Sequence, residues 1–265
     1  MTGDGEIRRL ALITGASGGI GADLARIMAR EGHDLALVAR SADKLAALAL
    51  EITSMGRPPP LVIPIDLARP AAGGELAAAL TAAGAQVSIL VNNAGFGLNG
   101  AAVALDPAAQ LEMIDLNVRL LTDLTLRFAP DIIRSRGRIL NVASVASFLP
   151  GPGMAVYYAT KAFVRSFSLA MSEELKASGV TVTCLCPGFT ATAFQARAGI
   201  EAATMARVPT MSSLAVAHSG YRAMMAGRRL VITGFANKLG VALLPFIPDS
   251  LLLPILAGLQ MKRHV

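Results

Sequence analysis

The strongest constraint on the fold is the alternation of short apolar runs with longer stretches rich in alanine and leucine. Each apolar run is followed by a polar loop and then by a stretch of helical length, which is typical of a parallel sheet covered by helices. The apolar runs predict seven strands, at residues 10–14, 34–39, 60–66, 89–92, 137–142, 181–186 and 229–233. The intervening stretches predict helices at residues 20–31, 42–55, 107–128, 154–178 and 212–225.

The domain organisation follows from the same pattern. Seven parallel strands with helices on both faces form a three-layer, doubly wound α/β fold. A chain of 265 residues is long enough to bury a large core without disulfides. No internal repeat, low-complexity block or linker divides the sequence, so we predict a single domain over residues 1–265.

Composition narrows the class of protein. Hydrophobic residues make up 54% of the chain and charged residues only 16%, which excludes a disordered protein. The net charge of +6 is compatible with nucleic acid, a membrane surface or a phosphorylated cofactor. Because the lysines and arginines are scattered, with no run of five basic residues, we expect no nucleic acid partner.

The two cysteines, Cys184 and Cys186, stand two positions apart in a β-branched run and would face the same side of one strand. This spacing is not a disulfide framework, and no acidic residue or histidine stands beside them to complete a metal site. We therefore expect core thiols of a reducing compartment and no metal. The apolar run at residues 10–13 is too short for a secretory leader, so a cytoplasmic location is the expectation.

A glycine-rich segment joins the first predicted strand to the first predicted helix. It has the sequence TGASGGIG at residues 14–21, with Ser17 and Ile20 set among the glycines. A turn of this kind at a helix N-terminus binds the pyrophosphate of a dinucleotide. Gly15 and Gly19 would let the backbone turn and approach the phosphates, and Gly21 would let the helix pack on the strand. An ordinary glycine turn is the alternative.

The end of the second predicted strand indicates which dinucleotide binds. It carries Arg40 and Ser41 instead of the acidic residue that would hydrogen-bond the free ribose 2′-hydroxyl of NAD. A guanidinium matches a 2′-phosphate, so Arg40, helped by Ser17 and Ser41, predicts NADP(H). An exposed arginine at a strand end is the alternative. Asp66, followed by Leu67, ends the third strand and either receives an adenine amino group or caps a helix.

Several short motifs follow one another in a fixed order. They are Thr14-Gly15 with Gly19 and Gly21, Asn92-Asn93-Ala94-Gly95, Asn117, Ser144, Tyr157-x-x-x-Lys161 and Pro187-Gly188. Each is weak alone, but together they resemble the short-chain dehydrogenase/reductase family over roughly residues 8–235. The resemblance implies a Rossmann fold and an NADP(H)-dependent interconversion of a carbonyl and an alcohol. It also implies a homodimer or homotetramer.

Tyr157 and Lys161 are four positions apart in an alanine-rich helical stretch and therefore share one helical face. The lysine ammonium, together with an oxidised nicotinamide, would stabilise the phenolate and lower the working pKa of the phenol. Tyr157 would then donate a proton to the carbonyl oxygen in reduction and accept it in oxidation, while Ser144 hydrogen-bonds the same oxygen. Tyr158 competes for this role, but its spacing of three to Lys161 breaks the family's register.

The resemblance also implies roles for the remaining motif residues. Asn117 would interrupt its helix and hold a water against the lysine, and Asn92 would brace the sheet. Contacts with the cofactor are implied for Asn93, Ala94, Gly95, Pro187, Gly188, Thr190 and Thr192, the last of them binding the carboxamide. The alternatives are an ordinary buried asparagine at 117, tight turns in the asparagine–glycine motif, and a local turn or helix cap at Thr192.

In this family the segment after Thr192 closes the substrate pocket, here residues 193–211 within a substrate region of about 193–227. Its apolar members are Phe194, Ala198, Ile200, Met205 and Val208. Near the catalytic positions stand Phe96, Phe148, Leu149 and Met154, each of which is equally a candidate for the core. The sequence thus favours a lipophilic ketone or aldehyde as substrate without identifying it.

Two other functions stay open. One is a catalytically silent NADP(H)-binding regulator, which the presence of Tyr157, Lys161 and Ser144 disfavours. The other is an enzyme that acts on a lipid carbonyl at a membrane surface, and the last part of the chain bears on it.

The apolar extension at residues 239–265 departs from the regular alternation. Residues 239–260 carry a single charge, Asp249, and the basic Lys262 and Arg263 follow. Prolines at 245, 248 and 254 interrupt any continuous helix, so we expect no membrane-spanning segment. We expect the extension to cover the pocket mouth or a partner subunit. A patch lying on a lipid surface is the alternative.

Overall fold

A central parallel sheet organises the protein, whose computed structural model describes residues 8–192, 194, 198 and 210–260. The strands are β1 (Arg8–Thr14), β2 (Leu35–Ala39), β3 (Leu61–Pro64), β4 (Ala85–Asn92), β5 (Arg138–Val142), β6 (Thr181–Cys186), β7 (Thr190–Ala191), β8 (Met211–Ser212) and β9 (Leu230–Ile232). Strands β7 and β8 pair only with each other, and the other seven form the central sheet.

The order of the central sheet is β3-β2-β1-β4-β5-β6-β9, and all neighbouring strands are parallel. The chain therefore runs outward from β1 to β3, crosses back, and runs outward again from β4. This is the doubly wound arrangement, and it confirms the predicted seven-stranded parallel sheet. The carboxyl ends of β1 and β4 lie side by side where the strand order reverses, which is where such folds bind ligands.

Helices cover both faces of the sheet. They are α1 (Gly19–Arg30), α2 (Ala42–Ser54), α3 (Ala72–Ala82), α4 (Pro107–Ile114), α5 (Leu121–Arg134), α6 (Ala155–Glu174), α7 (Ser213–Met225), α8 (Phe235–Leu243) and α9 (Asp249–Gln260). A π-helical turn, Asp115–Leu120, joins α4 to α5. Turns of 3-10 helix lie at Val145–Phe148, Lys176–Ser178 and Leu244–Phe246.

The three layers arise from the side-chain alternation of the strands. Successive side chains of a strand point to opposite faces, so each strand supplies two cores. Leu10 and Leu12 of β1 pack in the core that includes α3, α5 and α6. Ala11 and Ile13 of the same strand pack in the core that includes α1, α2 and α7.

Two helices begin at capping residues. Asp106 accepts hydrogen bonds from the backbone amides of Ala108 and Ala109, both at 3.2 Å, and Pro107 takes the first helical position of α4. Ser212 accepts from the amide of Ala215 at 3.2 Å and starts α7. Side-chain oxygens at these positions satisfy amides that have no partner within the helix.

A buried hydrogen-bonded cluster joins the middle of the sheet to two helices. The Asn92 amide donates to Oδ1 of Asn141 at 2.9 Å and to Oγ1 of Thr125 at 3.1 Å. The Asn141 amide donates in turn to Oγ of Ser168 at 2.9 Å. Strands β4 and β5 are therefore tied to α5 and α6 directly behind the carboxyl edge of the sheet.

Several predicted helices and strands differ from those observed. The predicted helix at 107–128 is interrupted by the π-helical turn, and α5 continues to Arg134. The predicted helix at 154–178 ends at Glu174, and the predicted strand at 60–66 ends at Pro64. Helix α3 was not among the helices given bounds, because its apolar period, at Ala72, Leu76 and Leu80, contains only two large side chains.

The extension after β9 forms α8, a 3-10 turn and α9. Helix α8 has no buried residue, and Phe235 and Phe246 are each 82% exposed. No helix within the described ranges is both long and apolar enough to cross a membrane.

Candidate active site

A cavity of about 700 Å³ opens at the carboxyl edge of the sheet, above β1 and β4. It brings together most of the predicted site residues. Those that line it are Gly15, Ser17, Gly19, Ile20, Arg40, Ser41, Asp66, Leu67, Asn93, Ala94, Gly95, Ser144, Tyr157, Lys161, Pro187, Gly188, Thr190 and Thr192. Gly21 and Asn117 lie behind its wall.

The glycine loop shapes one end of the cavity. Gly15 and Gly19 have φ of +67° and +54°, values that favour glycine. Gly21 is required for packing instead, because a Cβ there would lie 2.5 Å from the amide nitrogen of Asn93 and closer still to the Gly15 carbonyl oxygen. At Gly18 a Cβ would meet no atom within 4 Å, so the loop is open on the cavity side.

The N-terminus of α1 fits an anionic group. No side chain caps this helix end, and its first turn holds no acidic residue. The first amides of a helix lack intrahelical partners and carry the positive end of the helix dipole. An open glycine loop that leads into uncapped amides matches the diphosphate of a dinucleotide.

Thr14 and Asn93 hold this loop against the end of β4. The Thr14 hydroxyl donates to the Val91 carbonyl at 3.1 Å and accepts from the amides of Asn93 and Ala94, both at 3.0 Å. The Asn93 side chain donates to the carbonyls of Thr14 and Gly15 at 2.9 and 3.2 Å. Sequence reasoning missed the role of the Thr14 hydroxyl, although the threonine begins the glycine motif.

Positive side chains lie at the end of β2. Arg40 is exposed at the rim of the cavity, beside Ser41, and Lys44 of α2 lines the same rim. Lys44 was missed by sequence reasoning, and its position four residues after Arg40 was the available signal. Asp66 also lines the cavity and accepts from the Ala68 amide at 3.2 Å. This is a local turn, so the alternative of a helix cap is wrong, because α3 begins only at Ala72.

Helix α6 carries Tyr157 and Lys161 on its buried face. They are 8% and 6% exposed, and the lysine Nζ lies 5.9 Å from the centre of the tyrosine ring. Lys161 donates to the Val142 carbonyl at 2.9 Å. Ser144 lines the cavity together with Tyr157, and its side chain acts to lower the pKa of the phenol. The Ser144 oxygen also accepts from the Ala146 amide at 3.1 Å, which fixes it at the start of a 3-10 turn.

Burial shifts the pKa values of the two catalytic candidates, Tyr157 and Lys161, in opposite directions. It raises the pKa of the Tyr157 phenol, and the side chain of Ser144 only partly opposes this. Burial lowers the pKa of Lys161 to about 8, while the thiols of Cys184 and Cys186 act the other way. The fall in the phenol pKa expected from the sequence thus depends on the charge of a bound nicotinamide, because the protein alone favours the protonated phenol.

Tyr158 also reaches the cavity, but in a different setting. Its ring covers Gly151, where a side chain would collide with it, and contacts the Tyr157 ring edge-on at 6.1 Å between centroids. Tyr157, and not Tyr158, is therefore the tyrosine whose phenol lies beside Ser144 and one helical turn from Lys161.

Asn117 sits in the π-helical turn and joins three segments behind the cavity. Its Oδ1 accepts from the Phe96 amide at 3.1 Å, and its Nδ2 donates to the Phe96 carbonyl at 2.9 Å and to Oγ1 of Thr160 at 3.1 Å. A Cβ at Gly95 would lie 2.8 Å from the Asn117 oxygen and 3.5 Å from the Lys161 nitrogen. Asn117 and Lys161 therefore meet at Gly95.

The loop after β6 closes the other side of the cavity. The Val145 amide donates to the Pro187 carbonyl at 2.9 Å, which links this loop to the turn that holds Ser144. Oγ1 of Thr192 accepts from the Phe194 amide at 3.3 Å, and a Cβ at Gly19 would lie 2.9 Å from the Thr192 methyl. The loop after β6 thus approaches the glycine loop at Thr192.

Behind the loop lie the two thiols. Cys184 and Cys186 are fully buried in β6 with their sulfurs 3.7 Å apart, and both are free. The Cys186 sulfur lies 3.8 Å from the hydroxyl of Ser147, which donates to the Ser144 carbonyl at 2.6 Å. Within the described ranges, no three histidine, cysteine, aspartate or glutamate side chains are grouped as a metal ion would require.

The catalytic end of the cavity is apolar. Met154 and Phe194 line it, as does Phe189, which sequence reasoning missed. The Phe194 ring lies 5.4 Å from that of Tyr157, centroid to centroid. Phe96 belongs to the core instead, and Phe148 packs under the guanidinium of Arg165. Of the other predicted pocket residues, Ala198 is buried, and Ile200, Met205 and Val208 lie outside the described residues.

Comparison with known proteins shows which family the sequence and the fold resemble. The family model described as short chain dehydrogenase matches residues 9–202. The NADP-dependent 3-hydroxy acid dehydrogenase YdfG of Salmonella typhimurium is 37% identical over 186 residues, 68% of this chain and 71% of the relative. A short-chain dehydrogenase from Sphingobium yanoikuyae, solved in complex with NADPH, matches with a TM-score of 0.79 and 35% identity, over 86% of this chain and 88% of the other.

A second solved structure covers more of the chain. The bulky-bulky ketone specific alcohol dehydrogenase from Comamonas testosteroni matches with a TM-score of 0.75 and 30% identity, over 91% of this chain and 95% of the other.

Proposed function

Because the chain belongs to the short-chain dehydrogenase/reductase family, we propose that it interconverts a lipophilic ketone or aldehyde and its alcohol, with Tyr157 as the acid and base. It is an NADP-dependent oxidoreductase that acts on alcohol and carbonyl groups, and its cofactor is NADP(H). The finer points, namely the substrate class and the roles of single residues, rest on the geometry of the cavity.

The cavity residues fit the cofactor along its length. The uncapped amides of α1 and the open backbone at Gly18 would hold the diphosphate, and Asp66 would receive the adenine amino group. Arg40 and Ser41, joined by Lys44, would hold the 2′-phosphate. The loop from Pro187 to Thr192 would hold the nicotinamide. When bound, NADPH supplies the hydride for reduction of the carbonyl carbon.

Tyr157 supplies the proton. Burial keeps its phenol protonated, so the side chain meets a carbonyl substrate in the form that donates. Ser144, which lines the cavity together with this phenol at the end of β5, donates to the same carbonyl oxygen and fixes its position. In the reverse direction the phenolate accepts the proton of the alcohol, and the neighbouring Lys161 ammonium stabilises it.

Lys161 and Asn117 lie behind the phenol of Tyr157, on the interior side of the cavity wall. Lys161 is anchored by its hydrogen bond to the Val142 carbonyl, and Asn117 approaches it at Gly95. We assign Asn117 to positioning, since its three hydrogen bonds fix the Phe96 backbone and Thr160 on α6. A water molecule held by Asn117 would pass a proton to Lys161 after each reduction. Lys161 would then pass a proton to Tyr157 and restore the phenol.

The substrate class follows from the apolar side chains next to Tyr157. Met154, Phe189 and Phe194 line the cavity and offer no charge to a polar substrate. One relative is named for 3-hydroxy acids and another for bulky ketones. These names support a substrate with a carbonyl or alcohol group, but they do not identify one molecule. We therefore expect a ketone or aldehyde with a large apolar group.

Other expectations from the sequence stay proposals. We propose a homodimer or homotetramer, as the family resemblance implies. We also propose a cytoplasmic location, which the two free buried thiols support. The silent regulator is the second candidate function. The presence of Tyr157, Ser144 and Lys161 together on the cavity wall disfavours it, because a binding protein has no need of them.

The observation that carries the proposal is the buried Tyr157 phenol at the cavity wall, which Ser144 also lines, one helical turn from Lys161. The test is a panel of ketones, aldehydes and alcohols of graded size and polarity, followed by the absorbance of NADPH. We expect turnover of bulky apolar carbonyls with kcat/KM well above that of small polar ones. Tight NADPH binding with no turnover of any member would favour the silent regulator.

A further inference from the structure

The cavity wall that follows β6 is tied to a segment that lies far along the chain. Strand β7 pairs in parallel with β8, so that Thr190 lies opposite Met211. The Met211 amide also donates to the Phe189 carbonyl at 3.0 Å. Phe189 and Thr190 both line the cavity. The position of this part of the wall therefore depends on what holds β8 in place.

Strand β8 is held by a hydrogen bond at the start of α7. Ser213 is the first residue of this helix and directly follows β8. Its hydroxyl donates to Oδ2 of Asp23, on α1, at 2.5 Å. The Asp23 side chain is only 15% exposed, so the carboxylate is largely shielded from water. A hydrogen bond to a carboxylate is shorter and stronger than one between neutral groups. Ser213 therefore fastens β8, and with it β7, to α1.

The Asp23 carboxylate is itself held in one orientation. Its other oxygen, Oδ1, accepts from Arg26 at 3.0 Å. Arg26 also donates to both oxygens of Glu51, on α2, at 2.8 and 2.9 Å. A planar guanidinium that binds two carboxylates in this way has a fixed geometry. Because ion pairs at a partly exposed site add little to the free energy of unfolding, their main effect here is to orient Asp23.

Helix α1 thus touches the loop after β6 in two ways. Directly, a Cβ at Gly19, the first residue of α1, would lie 2.9 Å from the Thr192 methyl. Indirectly, Asp23 stands four residues after Gly19, one helical turn along, and holds the same loop through Ser213 and the β7–β8 pair. The helix whose free amides face the diphosphate site therefore also sets the position of the loop at the other end of the cavity.

We propose that Asp23 and Ser213 are positioning residues for the nicotinamide half of the cofactor. Their hydrogen bond keeps the loop that carries Thr190 and Thr192 at the distance from α1 that one NADP(H) molecule spans between its diphosphate and its nicotinamide. Neither Asp23 nor Ser213 lines the cavity, so both act through this loop. The inference rests on the placement of the nicotinamide on the loop, which is part of the proposed function.

Calorimetric titration of the full chain with two ligands tests the positioning. One ligand is NADPH, and the other is 2′-phospho-ADP-ribose, which keeps the adenosine, the 2′-phosphate and the diphosphate but has no nicotinamide. We compare Ser213→Ala, Asp23→Ala, the double variant, and Ser213→Thr, which keeps a hydroxyl. The matched control is Ser219→Ala, also on α7, because the Ser219 hydroxyl donates to the Ala215 carbonyl of its own helix at 2.9 Å. Urea unfolding gives the stability of each variant.

We expect Ser213→Ala to weaken NADPH binding by about three- to tenfold, the effect of one hydrogen bond, and to change the affinity for 2′-phospho-ADP-ribose by less than about twofold. The double variant should bind NADPH no more weakly than Asp23→Ala, because both lack the same hydrogen bond. Ser213→Thr should restore the affinity, and Ser219→Ala should not change it. Equal losses for the two ligands would overturn the proposal and show a merely structural contact. Unchanged NADPH affinity in Ser213→Ala would also overturn it.

The variant Thr192→Val separates a failure of this inference from a failure of the proposed function. It removes the Thr192 hydroxyl and keeps the shape of the side chain, so it should weaken NADPH binding and spare 2′-phospho-ADP-ribose. If Thr192→Val weakens NADPH binding and Ser213→Ala does not, the positioning role is wrong and the placement of the nicotinamide stands. If Thr192→Val leaves NADPH affinity unchanged, the proposed contact of Thr192 with the nicotinamide is wrong, whatever the result at Ser213.

Discussion

The Lys161 nitrogen lies 5.9 Å from the centre of the Tyr157 ring, one turn away on the same face of α6. Both side chains are buried, and burial raises the pKa of the phenol while it lowers that of the lysine to about 8. At neutral pH the phenol therefore holds its proton, and the lysine is still charged but close to losing its charge.

Replacing Tyr157 with phenylalanine should abolish carbonyl reduction, because the ring remains but the proton donor is gone. We expect kcat to fall by about 10²–10⁴-fold, the usual contribution of a positioned acid, with NADPH affinity changed less than about twofold. Tyr158→Phe is the control, because the ring of Tyr158 packs on Gly151 and the substitution keeps that ring. Steady-state kinetics and NADPH fluorescence titration measure both effects. A Tyr157 variant that keeps most of its activity would show that the acid is another group.

NADPH affinity should weaken as the pH rises through about 8. If the Lys161 ammonium contacts the cofactor, binding favours its protonated form and raises its pKa above the free value of about 8. The stabilisation is then fully present below pH 8 and is lost above it, by up to about tenfold in affinity per pH unit. Fluorescence titrations between pH 7 and 9.5 measure this. Lys161→Met should bind weakly with a flat profile, and a flat wild-type profile would speak against the contact.

The Arg40→Ala variant should discriminate between the two nicotinamide cofactors. Loss of a charged hydrogen bond to the 2′-phosphate should lower kcat/KM for NADPH by a factor that corresponds to about 1.5–3 kcal/mol. The kcat/KM value for NADH should stay nearly unchanged. Arg30→Ala, an exposed arginine of α1 that does not line the cavity, serves as the control. Equal losses with both cofactors would mean that Arg40 does not contact the phosphate.

Two neighbouring glycines should respond differently to alanine. At Gly21 the new methyl group would press on the Gly15 carbonyl and on Asn93, so we expect the free energy of unfolding to fall by about 1–3 kcal/mol. At Gly18 the methyl would meet no protein atom, so stability should change by less than about 0.5 kcal/mol. If the diphosphate lies on the loop, Gly18→Ala should instead weaken NADPH binding. Urea unfolding and cofactor titration separate the two, and equal stabilities would contradict the packing role of Gly21.

The sheet could be predicted from the sequence because a buried parallel strand is a continuous apolar run with little ambiguity. Strand 181–186 was placed with its observed ends. Helix α3 was given no bounds because its apolar period, at Ala72, Leu76 and Leu80, contains only two large side chains. The resemblance implied that Asn117 interrupts its helix, and the structure has a π-helical turn there. The form of the interruption could not be predicted, because an extra residue in a helical turn does not alter composition.

The site could be predicted where function depends on short spacing, as with Tyr157 and Lys161. It could not be predicted where two segments distant in the sequence meet, as Asn237 and Gly188 do. The solvent exposure of α8 and α9 could not be predicted either, because an apolar helix has the same sequence pattern whether it is buried or exposed.

The paired thiols of β6 have a practical consequence. Cys184 and Cys186 are shielded between β5 and β9, so an alkylating reagent reaches them only when the sheet opens. A compound that binds only the folded form reduces the open fraction by the factor 1 + [L]/Kd. Slower alkylation would therefore report occupancy of the cavity by any candidate molecule, whether or not it reacts, and would rank substrates of the protein before a productive cofactor and pH are known.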